Sequence, residues 1–162
     1  MREPEKHNSK AKYDSLESAT TPQRGEFRDL FERERLIRDG WAMRVFTHHG
    51  PHKPADYRTV GLSENFKHPN LQLYFPVSEE IALATFFTIV DLIKAGAKFK
   101  DGDVSRDVAE EMPVKFIKVT IGNAEFLRVI IPDKQGKVDE GKISAPFSLQ
   151  YRDTTIASRE QN

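Results

Sequence analysis

The 162-residue chain contains no cysteine, so it forms no disulfide, offers no thiolate to a metal and has no thiol nucleophile. That composition suits a reducing compartment, and a cytoplasmic location is expected. Long apolar runs are missing as well: no stretch approaches the roughly 18 residues that cross a bilayer as a helix. The opening residues Met1-Arg2-Glu3-Pro4-Glu5-Lys6-His7 lack the apolar core of a signal peptide, so neither export nor membrane insertion is expected. An excess of one charge is absent too, because 25 Lys and Arg face 25 Asp and Glu. A protein that grips a nucleic-acid backbone or an anionic membrane usually carries surplus positive charge, so general nucleic-acid binding is not expected. No nucleophile elbow or glycine-rich phosphate loop is present, and no cofactor is expected.

What the chain does contain is unevenly distributed. Residues 1–24 hold few apolar side chains, mixed charges and a Ser/Thr-rich stretch, and 152–162 read the same way. Such segments cannot bury enough surface to offset the entropy of ordering them, so both are expected to be disordered tails. Fifteen of the sixteen aromatic residues fall in 25–151, the expected single domain. That domain carries 18 Lys and Arg and 19 Asp and Glu, so it is itself close to neutral.

Within it, Phe27, Leu30, Phe31 and Ile37 share one helical face and predict an amphipathic helix from about Glu26 to Asp39, stopped by Gly40. Short runs at Trp41–Phe46, Tyr57–Leu62 and Leu71–Phe75 predict strands. Ser78 is a good N-cap for a helix ending near Ala95-Gly96, and its apolar residues cover nearly the whole circumference, as in a buried helix. A short helix is expected at Val104–Glu111, a hairpin at Val114–Ile121 and Glu125–Ile131 around Gly122-Asn123, and an edge strand at Ile143–Tyr151. The order argues for an α+β fold: an antiparallel sheet of five or six strands packed on one long buried helix, with the N-terminal amphipathic helix beside it.

Three groups of residues attract chemical readings. His48 and His52, in a loop with His49 and two prolines, would be metal ligands; against this, a flexible loop does not fix ligand geometry. Glu64 and His68 lie in the loop after the second strand and would serve as general bases, whereas His68 would otherwise fix the turn before Pro69. Asp133, after a strong strand, would complete a catalytic set or simply form a tight turn with Gly136.

Gly40-Trp41, Thr59-Val60-Gly61-Leu62, His68-Pro69, Ala95-Gly96 and Pro132-Asp133 with Gly136 occur in an order that resembles the bacterial domain of unknown function 4262. The resemblance spans roughly Gly40 to Gly136 and implies a fold more than a chemistry. That family often has Tyr before Thr-Val-Gly-Leu and Glu after His-Pro, where this chain has Arg58 and Asn70. A fainter likeness, in element order alone, is to suppressor-of-fused-like domains, several of which resemble binding or immunity proteins. Two functional expectations follow. The first is a non-enzymatic module that binds or regulates a protein partner. The alternative is a small hydrolase or nuclease-like enzyme using His68, Glu64 and Asp133, with a metal on His48 and His52.

Overall fold

The structure, a computed structural model, describes residues 24–47 and 54–152. In chain order the elements are α1 (Arg24–Asp39), β1 (Ala42–Thr47), β2 (Ala55–Val60), α2 (Leu62–Phe66), β3 (Asn70–Phe75), α3 (Glu79–Lys94), β4 (Val104–Ala109), β5 (Met112–Ile121), β6 (Ala124–Ile130) and a 3-10 helix over Phe147–Tyr151. The α+β class holds, with six strands in the order β1-β2-β3-β6-β5-β4. The expectation of a purely antiparallel sheet is corrected, because β3 and β6 pair in parallel through Asn70 with Phe126, Leu71 with Leu127 and Gln72 with Arg128. Two antiparallel three-stranded halves therefore meet at one parallel seam, reached from β3 through α3, β4 and β5.

Strand alternation gives the sheet two different faces. Ala55 and Tyr57 of β2, Leu71 and Leu73 of β3, Leu127 and Val129 of β6, and Val114 and Phe116 of β5 form one core with Ala82, Phe86, Ile89, Val90 and Ile93 of α3. Ser78 caps that helix by accepting from the Ile81 N–H at 3.3 Å. Contrary to the all-round burial expected from its composition, α3 buries one side only: Ile81 and Phe87 are exposed.

The opposite face is covered by the chain after β6, where Ile130, Val138 and Ile143 cluster with Ile117, Phe147 and Tyr151. The edge strand expected at Ile143–Tyr151 is thus replaced by a 3-10 turn lying over the sheet, anchored by Gln150, whose side chain bonds Ile131 N, Ile131 O and Phe147 O. Val104–Glu111 is not the short helix expected of it. It forms edge strand β4, pairing with β5, and turns at Glu111 in the left-handed region at φ 57°. Tertiary pairing overrides its weak local preference.

The two-residue turn Gly122-Asn123 closes the β5–β6 hairpin, with Ile121 opposite Ala124. On α1, Phe31 and Ile37 are exposed, and the side that meets the sheet carries Glu32. The proposed tails at 1–24 and 152–162 lie almost wholly outside the described residues.

Candidate functional site

A row of polar side chains runs across the sheet face opposite α3. Register places Arg44 of β1 beside Arg58 of β2, Arg58 beside Gln72 of β3, and Gln72 beside Arg128 of β6. Each arginine is engaged. Arg58, 8% exposed, forms a two-point pair with Asp56, 3% exposed, at 3.1 and 2.8 Å, while Phe46 stacks over its guanidinium at 3.7 Å. Gln72 Nε2 donates to the same Asp56 at 3.0 Å. Arg128 donates to Gln72 Oε1 at 2.8 Å and to the carbonyls of Gln150 and Arg152. This network is satisfied internally, and buried charge that is paired and hydrogen-bonded is a structural element first.

At the outer end of the same face lies a cleft of about 490 Å³, lined by Leu36, Arg44, Val60, Gly61, Glu64, Asn65 and Asn70. Close backbone packing builds it. Gly61 has φ +96°, and a Cβ there would stand 2.6 Å from Gly40 O and 2.7 Å from Leu36 Cδ2, so only glycine lets α1, the start of β1 and the end of β2 meet. The left-handed Gly61 ends β2 and opens α2, correcting the strand expected to run on to Leu62. Asn65 of α2 ties back by donating from Nδ2 to Gly40 O at 2.9 Å. Asn70 closes the floor: its Oδ1 accepts from Leu62 N at 3.1 Å and from the Thr59 hydroxyl at 3.0 Å, and that hydroxyl accepts from Leu71 N at 2.8 Å.

Of the residues singled out in the sequence, Glu64 lines this cleft with its side chain exposed to solvent. His68 does not share its accessibility. It is 3% exposed, its Nε2 accepts from Phe99 N at 3.0 Å, and its Nδ1 therefore carries the proton donated to Pro69 O at 2.9 Å. Burial pushes its pKa down, a backbone bond to Pro69 opposes that, and Lys98 adds to it. Neutral His68 thus clasps the start of β3 to the chain beyond α3.

Asp133 stands at the other end of the sheet. Since β3 and β6 run in parallel with Asn70 beside Phe126, His68 precedes the N-terminal end of β3 while Asp133 follows the C-terminal end of β6. The Asp133 carboxylate accepts from the N–H groups of Gln135, Lys137 and Ser144 and from the Ser144 hydroxyl. These bonds, with Lys137 foremost, hold its pKa below the usual carboxylate range against the opposing effect of desolvation. The fold therefore does not bring His68, Glu64 and Asp133 together as one acid-base set. His48 and His52 lie outside the described residues, and among the described ones no group of three or more His, Asp or Glu is placed to hold a metal.

Sequence reading missed Asn65, Asn70 and Gly61 as cleft residues. The available signal was the cluster Gly61, Glu64, Asn65 and Asn70 within ten residues, where glycine and short amides mark a built turn.

Comparison with curated proteins and with solved structures returned no match. A family model described as Domain of unknown function (DUF4262) matches residues 36–138, a span that runs from Leu36 on the cleft wall past Asp133. That match covers well over half of the chain and agrees with the order of motifs from Gly40 to Gly136, so the chain belongs to the domain of unknown function 4262 family.

Proposed function

We propose that this chain is a non-enzymatic binding module that engages a protein partner through the cleft between α1, α2 and the adjoining ends of β1, β2 and β3. The observation that carries the reading is a division of labour among polar groups. His68 and Asp133, the residues with acid-base potential, spend their hydrogen-bonding capacity on backbone. Glu64 instead makes no side-chain hydrogen bond or ion pair among the described residues, and with Asn65 and Asn70 it lines a cleft whose volume falls within the range of ligand sites, roughly 300–1,000 Å³. A rigid cleft with a few oriented polar groups gives recognition without a reaction.

The test is quantitative affinity capture from the native host with the full chain and with Glu64→Lys. A partner enriched by the wild-type protein, reconstituted from purified components and weakened at least tenfold by the substitution supports the reading. Turnover of an ester or phosphodiester substrate that Glu64→Gln abolishes would instead favour the hydrolase or nuclease-like alternative.

A further inference from the structure

We infer that the cleft recognises a cationic side chain, lysine or arginine, presented by an extended segment of the partner; this deepens the binding-module reading and rests on it. Several polar atoms of the cleft are already committed within the protein. A backbone N–H donates only to an acceptor, so the Leu62 N–H identifies the Asn70 atom facing it as Oδ1. Thr59 confirms the assignment, since its hydroxyl accepts from Leu71 N and turns its single proton toward the same oxygen. The amide of Asn70 is thereby locked, and Nδ2 is left with two donors for a ligand.

Asn65 is oriented by the same logic in reverse. Its Nδ2 is held by Gly40 O, which leaves Oδ1 as an acceptor. Glu64 has no cationic partner among the described residues, and its side chain is exposed at the cleft. Arg44, the other charged residue among the described residues of the lining, gives both Nε and an NH2 group to Glu32 at 2.8 Å each, so its charge is offset within the protein. Among the described residues of the lining, the uncompensated charge is therefore negative and belongs to Glu64.

These groups define the occupant's chemistry. A lysine or arginine head would pair with Glu64 and donate to Asn65 Oδ1. Its methylene stem would lie on Leu36 and Val60, as long cationic side chains cover apolar surface. A backbone carbonyl of the same segment would accept from Asn70 Nδ2, the pattern by which extended peptides are held. An anionic ligand would meet Glu64, and a purely apolar one would strip water from three polar groups without replacing it.

The experiment is an NMR titration of the 15N-labelled full chain with N-acetyl-arginine methylamide and with its neutral isostere, N-acetyl-citrulline methylamide. The arginine probe is expected to give saturable shifts at Gly61, Glu64 and Asn65 and at the Asn70 side-chain amide. Citrulline binding, and arginine binding to Glu64→Gln, should each be at least tenfold weaker, with unchanged Trp41 fluorescence reporting an intact fold. Equal binding of both probes, equal binding by Glu64→Gln, or no saturable shift at the cleft would overturn the inference. A reconstituted protein partner insensitive to Glu64→Gln would also overturn it while leaving the binding-module reading standing. Charge-selective binding of the probe without any captured protein would support the cation site and contradict the protein-binding reading.

Discussion

Arg128 Nε donates to Gln72 Oε1 at 2.8 Å across the one parallel pairing of the sheet, and the two residues sit directly opposite in register. The bond spans the seam between the two antiparallel halves. Because Arg128 also holds the carbonyls of Gln150 and Arg152, it fastens the C-terminal segment over the same face. Arg128→Leu is expected to cost about 2 kcal/mol or more, since several buried acceptors lose a donor together. Urea unfolding followed by Trp41 fluorescence measures the loss, and limited proteolysis should cut 132–152 first.

Asp56 accepts from both Arg58 and Gln72, so it is the single carboxylate on which two neighbouring strands rely. Asp56→Ala should destabilise by about 3–5 kcal/mol, because it leaves a buried guanidinium without its counter-charge. The double change Asp56→Leu with Arg58→Met should recover much of that loss. Denaturant midpoints for the three proteins check both statements, and a double variant no better than Asp56→Ala would contradict them.

The pH dependence of stability follows from His68. Its folded pKa lies below the unfolded value of about 6.5, so over the interval between the two the unfolded chain binds more protons. The stabilisation is complete above about pH 6.5 and is lost as pH falls from there through the folded pKa. His68→Gln keeps one donor and one acceptor without titrating, and should flatten the curve in that window. NMR of the ring nitrogens should find the neutral Nδ1–H form at pH 7.

Much of this architecture is local and was therefore legible. Ser78 before Glu79-Glu80, the Gly122-Asn123 turn and the β-branched and aromatic residues of β2, β3 and β6 each specify their element within a few residues. The parallel seam was not, because Gln72 and Arg128 are 56 residues apart and nothing in either strand encodes its neighbour's direction. The covering role of Phe147–Tyr151 was hidden likewise: Gln150 acts on Ile131, and its apolar companions suit a strand equally well. As for the site, Glu64 was visible as a carboxylate in a loop. Its cleft was not, since that depends on Gly40 and Gly61 meeting backbone to backbone.

Asp133 organises the turn after β6 through three backbone N–H groups and a hydroxyl. Its pKa is lowered in the fold, so its contribution is present above the unfolded carboxylate pKa, about 3.9, and disappears as pH falls below it. Asp133→Ala removes both accepting oxygens, Oδ1 that holds Lys137 N and Oδ2 that holds Ser144 N. Hydrogen exchange at Lys137 and Ser144 should accelerate in that variant, with Glu64 and the cleft amides unaffected.

Partner capture with the full chain and its Glu64→Lys variant decides whether the cleft binds a protein partner. At least one protein is expected that the wild-type chain enriches from the native host, that binds again when both components are purified, and that Glu64→Lys releases by tenfold or more. Enrichment of the same partner to the same extent by both chains, or no reproducible partner for the wild-type chain, would contradict it.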